Sequence, residues 1–529
     1  MAEFLHFSRD SRMYIVQNNR AWTVPVLDGF SFSQATNASE ITLNEMEDAS
    51  GRSRRGRKMF TDSLSAAEFS FSTYMRPFKA AGGTAYNSGV GRADSTANNH
   101  HAVEEVLWVA MGSKNVYDAA NYKWKHGTGG GALTTISVTT GGTDADRAAG
   151  TYVIAVPTTG AGASTSAVVT AGTGTNTGGT SAVITVVVDG SGVATPTITD
   201  RGIGFDTGNV ITIGSELIGG GASDDNLVLG VVSEAYTTDT TDLDINFFDS
   251  NRSSLATFDV YFVLSDRSAG RLVYKLSNAV INEASVDFEI DGIATINWSG
   301  FAGQITDITS LSSFSAQDSA PSASAANEIW IDTNDSDSFY VSSGTGTSNW
   351  HHTIDEGTTT TDNFIRNRLT QLTLAPDATF KANNTSVTYE TNYSVAITAG
   401  NITISNNITF LTPEELGRVN QPIEHVTGTR TVTGNFTCYL GSSDAATNKS
   451  KNLFEDLIQD VTTVINEFEL KFDVGGTSST PRLEFQIDRC HLEIPSHSID
   501  DVISLETNFH GLGSSIGEAD EMTLKYVGK

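Results

Sequence analysis

Positive charge is scarce in this chain. Its 529 residues hold 32 Lys and Arg against 62 Asp and Glu, a formal charge of -30. Tight binding to a phosphate backbone takes clustered cations, so the balance argues against general nucleic-acid binding. It fits a very soluble protein, or a surface that must not hold nucleic acid. Cysteine is nearly absent: Cys438 and Cys490 are too few for a disulfide framework, and a reducing compartment during synthesis is expected. No apolar run approaches the roughly 20 residues that span a bilayer, so no membrane insertion by this chain is expected. Residues 1–12 carry an early acid and no apolar stretch, unlike a signal peptide. Enzyme motifs are missing as well. No G-x-S-x-G, G-x-G-x-x-G or Walker sequence sits between a strand and a helix, and no H-E-x-x-H occurs. Neither an enzyme nor a cofactor is expected.

What remains reads as strand. Thr, Ser, Val, Ile and Phe alternate in short runs broken by Gly, Asn and Asp, as at 69–74, 258–262 and 468–472. Helical spacing is convincing twice. Val103–Met111 has good helix formers and an apolar face, and Lys451–Ile458 sets Leu453, Phe454, Leu457 and Ile458 on one side. Two stretches differ from the rest. Residues 127–235 are rich in Gly, Thr, Ala and Val, and their Val/Ile runs predict a small β module inserted in a loop rather than a linker. From Phe314 on, a Ser/Ala/Asn/Asp-rich segment carries Trp330, Phe339, Tyr340 and Trp350, which suggests a minimal β-hairpin unit joining two larger bodies.

Those two bodies look like copies of each other. Arg271–Leu276 (RLVYKL) lies over Arg482–Ile487 (RLEFQI). At the same offset of 211, Ile281 meets Leu492 and Asn297–Phe301 (NWSGF) meets Asn508–Leu512 (NFHGL). Just upstream, Phe258, Val260, Phe262 and Leu264 fall on Phe468, Leu470, Phe472 and Val474. The front halves agree more loosely, with Phe71–Met75 (FSTYM) parallel to Phe436–Leu440 (FTCYL). The element order is strand, long loop, strand, helix, hairpin and strand pair, twice.

This unit resembles the tube domain of phage tail tube proteins, a β-sandwich flanked by one helix, with a long loop between two early strands. The phrase Val26–Phe32 (VLDGFSF) and the long segment Asn44–Lys58 carry the likeness, with Leu411–Gln421 as the second-copy loop. Residues 201–213 and 327–350 are similar to small modules common in phage structural proteins. The resemblance implies a mainly β fold of two tandem tail-tube β-sandwich domains, each with one short helix, plus inserted small β modules. The first domain would be 12–126 plus 236–313, interrupted by the module at 127–235. A linker module at 314–361 would then lead to the second domain at 362–529. It also implies a structural virion protein made in the host cytoplasm, whose rings stack into a hollow tube for genome delivery. Two domains per chain would close a pseudo-sixfold ring with three chains. Its partners would be itself, the tape measure, terminator and baseplate or tip proteins, with DNA passing through the bore unbound. Other readings are a different virion component (terminator, baseplate hub or decoration protein) or a carbohydrate-binding β protein using the Trp and Asp residues near 328–350.

Few residues suggest chemistry. Arg52, Arg54, Arg55, Arg57 and Lys58 form a basic run without interleaved aromatics. Against an acidic neighbouring ring it would work as a stacking loop that sets register. His100-His101 and His351-His352 read as loop pairs, poor chelates because adjacent residues on an extended chain point apart. Asp242–Asn246 opens like a calcium loop, but Phe247 stands where the sharp turn needs Gly, so a half-buried strand is expected and no metal site.

Overall fold

A computed structural model describes residues 7–41, 50, 58–80, 98–118, 123–126, 133–156, 167–172, 179–221, 225–232, 236–247, 255–264, 270–355, 363–377, 380–381, 389–416, 419–441, 449–459, 467–476, 481–499, 502–514 and 519–528. Strand dominates throughout. The strands needed below are β1 (Ser11–Gln17), β2 (Ser31–Glu40), β3 (Met59–Tyr74), β4 (Asp242–Asn246), β5 (Phe258–Leu264), β6 (Leu272–Phe288) and β7 (Thr295–Ala302). The second half supplies β8 (Ile397–Ser405), β9 (Thr431–Tyr439), β10 (Phe468–Val474), β11 (Arg482–Leu492), β12 (Ser496–Ile499), β13 (Ile503–Gly511) and β14 (Thr523–Val527).

Antiparallel pairing repeats residue for residue in the hairpin that the sequence offset marks. In β5–β6, Phe262 faces Tyr274 and Val260 faces Leu276; in β10–β11, Phe472 faces Phe485 and Leu470 faces Ile487. Even the break in register recurs, between Phe258 and Val260 and between Phe468 and Leu470. Further along, the constant offset fails. Gly300 faces Ile281, but Leu492, the counterpart of Ile281, faces Phe509 and not Gly511. The second hairpin is two residues shorter at its tip, so Asn508–Leu512 is not the structural match of Asn297–Phe301. Alternation survives a two-residue slip because side chains repeat with period two.

Eight strands form a continuous sheet in the order β2-β3-β7-β6-β8-β9-β13-β12. Its middle joint, β6 on β8, ties the first half to the second over Glu283–Phe288 and Gly400–Ser405. A second layer faces it. There β5 pairs with β1 and with the front of β6, while β10, β11 and β14 do the same work in the second half, and β4 closes onto β14. One apolar core runs between the layers through both halves, including Phe69, Phe71, Trp298, Phe436, Phe472 and Phe485.

Helix α1 (Glu105–Gly112) differs from the expected amphipathic helix: all eight residues are buried. A helix covered on all sides belongs inside a protein. Trp108 packs edge-on against Trp298 and Phe485, one from each half, and Asn406 Nδ2 donates to the Met111 carbonyl at 3.1 Å. Helix α2 (Ser450–Gln459) is one-sided as predicted, with Leu453 and Leu457 buried, although Ile458 is exposed.

Strands between 135 and 232 pair only among themselves and enclose their own core around Ile184, Phe205, Ile211 and Leu229. The segment after Phe314 is larger than a hairpin: four strands, at Phe314–Gln317, Ile329–Asp332, Ser338–Ser342 and Trp350–His352, make a sheet. Its Ile329, Ile331, Phe339 and Val341 pack on Tyr14, Val16, Tyr261 and Val263 of β1 and β5.

Candidate functional site

The inner strands of the eight-stranded sheet send one set of side chains into the core and the alternate set away from it, whereas β12 is exposed along its length and β2 has no fully buried side chain. On β3, Ala67, Phe69, Phe71 and Thr73 are buried, while Glu68 is exposed and Ser70 and Ser72 are half-buried. The same alternation puts Asn297 and Ser299 of β7, Glu283, Ser285 and Asp287 of β6, and Asn401, Thr403 and Ser405 of β8 on the open face. Thr433, Asn435 and Thr437 of β9 and Ser504, Glu506, Asn508 and His510 of β13 continue it. Short polar groups bond one another across the strands, Ser31 to Ser70 at 2.9 Å and the Ser72 hydroxyl to the Asn297 side-chain Oδ1 at 2.7 Å. Glu493 accepts from Asn508 at 2.8 Å and from His510 at 3.3 Å, and these bonds hold its carboxyl below the ordinary range.

Charge is divided sharply between the layers. Among the described residues on this open face the charges include the carboxylates Glu68, Glu283, Asp287, Glu493 and Glu506, and the groups that could turn positive are His510 and His491, which faces it; Lys and Arg do not occur there. The opposite layer carries both signs, paired: Lys275 with Asp259 at 2.8 Å, Lys471 with Glu484 at 3.0 Å, and Lys525 with Asp244 at 3.2 Å. The sequence signal for the acidic face was the strand alternation itself, but only the fold shows which set turns away from the core.

The predicted stacking loop is only partly visible. Arg52, Arg54, Arg55 and Arg57 lie outside the described residues; Lys58 is exposed, and its carbonyl accepts from Ile41 N at 2.9 Å. At the base of that loop the β2–β3 hairpin meets the second-copy loop: Leu64 N donates to Asn420 O at 2.9 Å and Asn420 N to Asp62 O at 3.1 Å. The two long loops therefore spring from one place. Apolar side chains stand exposed around it, among them Met59, Phe60, Leu416 and Ile423.

A buried polar network was not foreseen. Glu104 and Glu105 look like a solvated helix start, yet both are fully buried. Tyr526 of β14 donates to Glu104 at 2.6 Å, and the Arg76 amide adds a bond at 3.1 Å. Burial dominates these contacts and pushes the Glu104 carboxyl up to about 7. Tyr236 donates to Glu105 at 2.8 Å, and His101 Nδ1 lies 3.1 Å from the same carboxylate. The histidine reading thus needs correction. His100 and His101 are buried in a short strand, His100–Ala102, and His351 and His352 lie on the Trp350–His352 strand, because each pair bonds into a packed layer instead of a loop. Asp242–Asn246 is a strand, as expected. Among the described residues no group of three His, Cys, Asp or Glu could hold a metal ion, and no helix is long and apolar enough to cross a membrane. Trp330 and Trp350 are buried, with their indole N–H groups bonded to Gln317 O and Pro321 O, so they offer no open platform for a sugar.

Comparison with known proteins agrees with the resemblance. The chain is similar to the tail tube protein pb6 of Escherichia phage T5, 24% identical over 533 residues, which span 99% of this chain and 76% of that protein. No known protein-family signature matches it.

Proposed function

From the premise that this chain is a phage tail tube protein, a structural component of the virion tail, we propose that its copies join side by side into rings that stack as a hollow tube, with the eight-stranded sheet as the inner wall. The observation that carries this is the one-signed open face. Nucleic acid held against Lys and Arg gains affinity by releasing counterions; a wall of Ser, Thr and Asn with scattered carboxylates gives DNA nothing to hold. Screening confines the repulsion to roughly 10 Å, enough to keep a genome off the wall during ejection without opposing its passage.

Strand number bears on ring size. With strands about 4.8 Å apart and tilted by about 40°, two chains would close a barrel of about 30 Å between backbones, and three a barrel of about 50 Å. Side chains on both walls remove about 10 Å of that, and a B-form duplex with its grooves needs roughly 20 Å. Three chains leave room for hydrated DNA; two do not. The proposed assembly is a trimer with pseudo-sixfold symmetry, and stacking such rings head to tail propagates without closing. The basic loop Arg52–Lys58 and the exposed apolar groups near it would contact the next ring. Tape measure, terminator and tip proteins would meet the ends of the tube. Electron micrographs of the purified protein at raised concentration test the reading: hollow tubes with threefold ring averages are expected. Solid filaments, or particles that never elongate, would overturn it.

A further inference from the structure

One side chain ties the base of the second-copy loop to the core of the first half. The short strands Thr409–Leu411 and Glu424–Val426 pair antiparallel there, with Phe410 opposite His425. Thr409, Leu411, Glu424 and Val426 are exposed, so Phe410 and His425 are the pair turned inward. Phe410 packs into a small apolar cluster with Leu255, Val280, Phe301 and Ile408, and the His425 ring lies 5.9 Å from it. Farther out the loop leaves the core. Leu416, Val419 and Ile423 are exposed, and Asn420 bonds to the β2–β3 hairpin.

His425 is 5% exposed, and its Nε2 accepts the backbone N–H of Leu255 at 3.0 Å. A ring nitrogen that accepts is unprotonated, which places the one ring proton on Nδ1. Protonating Nε2 sets two N–H groups against each other and brings a charge into an apolar site. The bond then breaks, and the loop base loses its hold on Leu255. Two charged groups act on the ring: Glu424 on its own strand favours the imidazolium, and Lys114, past the end of α1, opposes it. Burial is the largest influence and holds the ring's titration below the ordinary 6.5.

We propose that His425 is an acid-sensitive clasp for the second-copy loop. Neutral, it pins the loop base to Leu255; protonated, it releases that base while the sheet and core stay folded. Histidine is the side chain whose charge ordinarily changes in this range. An open clasp takes up a proton near pH 6.5, and the closed one only below it. The clasp therefore holds fully above 6.5 and weakens by up to about tenfold for each pH unit of acidification.

Release stops at the flanks of the hairpin. Ile408 N donates to Asn282 Oδ1 at 2.8 Å, and Gly428 N to Asn406 O at 3.1 Å. Arg430 donates to the carbonyls of Gly112 and Ala519. None of these groups titrates between pH 8 and pH 5. In the proposed tube this loop stands beside the contact between rings, so acid would loosen stacking. That consequence rests on the tube reading; the clasp itself lies within one chain and does not.

Hydrogen exchange of the lone full-length chain at pH 8 and pH 5, corrected for intrinsic rates, tests the clasp. Peptides covering Leu255 and residues 409–426 should exchange about tenfold faster at pH 5, while those of the β6–β8 joint hold. His425→Gln offers an amide oxygen that accepts the same bond without titrating, and should stay slow at both pH values. His425→Phe keeps a ring but has no acceptor, and should be fast at both. A native loop equally protected at both pH values would overturn the clasp. So would a rise that His425→Gln retains, a His425→Phe loop that stays closed, or a rise shared by the β6–β8 joint. Any of these leaves the tail tube reading standing, and tubes that never form leave the clasp intact.

Discussion

The indole N–H of Trp108 donates to the hydroxyl of Tyr526 at 2.8 Å, tying the buried helix of the first half to the last strand of the second across 418 positions of sequence. The Tyr526 hydroxyl in turn donates to the Glu104 carboxyl. Tyr526 therefore locks the helix on which the core shared by both halves rests.

Tyr526→Phe should accordingly destabilise the whole chain, not one half. It strands a buried indole N–H, at about 1–3 kcal/mol, and leaves the buried Glu104 carboxyl with the Arg76 amide but without its hydroxyl donor. Urea unfolding should show one transition moved to lower denaturant. A variant in which only one half melts early would show that the lock is local.

Glu104 makes stability depend on pH. Its folded-state carboxyl titrates near 7, raised by burial from an ordinary value of 4.5. Between those values the unfolded chain holds fewer protons than the folded one, so this group's contribution favours folding below about pH 4.5 and fades as pH rises through about 7. Glu104→Gln, which still accepts from Tyr526, should be more stable than the native chain at pH 8, and the difference should shrink toward pH 5. Unfolding midpoints at both pH values check this; a gap that widens on acidification would contradict it.

Reversing Arg54, Arg55 and Arg57 to Glu should leave the monomer folded and shorten or abolish tubes. A single exposed ion pair contributes about 0–1 kcal/mol, but the contact would recur at every copy in every ring. Tube lengths in micrographs read the effect, and raised salt should weaken native stacking only modestly. Tubes of normal length would assign stacking to the exposed apolar groups around Met59, Phe60 and Leu416.

Replacing residues 127–235 by a short Gly/Ser bridge should leave assembly intact. The strands of that module pair with one another and not with either half, and loops tolerate insertions where few contacts cross. Arg201 reaches Asp520 at 3.6 Å in a largely buried ion pair, so the deletion should cost some stability while leaving assembly intact. A folded but assembly-dead deletion would make the module an interface element.

The sequence exposed what is local and periodic. Phe258, Val260 and Phe262 alternate strongly enough to reveal both the strand and its repeat, and the hairpin register follows. The two-residue slip before Phe509 was invisible, since it preserves alternation and the similar NWSGF and NFHGL phrases mask it. Burial of Glu104, Glu105 and His101 was hidden because their partners, Tyr526 and Tyr236, are more than a hundred residues away. The joint of β6 to β8 has no local signature either; pairing between distant strands is written only in the completed sheet.

The account stands most directly on where the open face of the eight-stranded sheet goes on assembly. Asn297 lies exposed on that face, and Asn334 lies exposed in the turn between Ile329–Asp332 and Ser338–Ser342, on the opposite layer. With a cysteine at each position in turn, a thiol reagent too bulky for the bore should modify both in the lone chain. After tubes form, N297C should be protected by at least tenfold while N334C stays reactive. Equal reactivity at both positions, or protection of N334C alone, would place the sheet on the outside and contradict the tube.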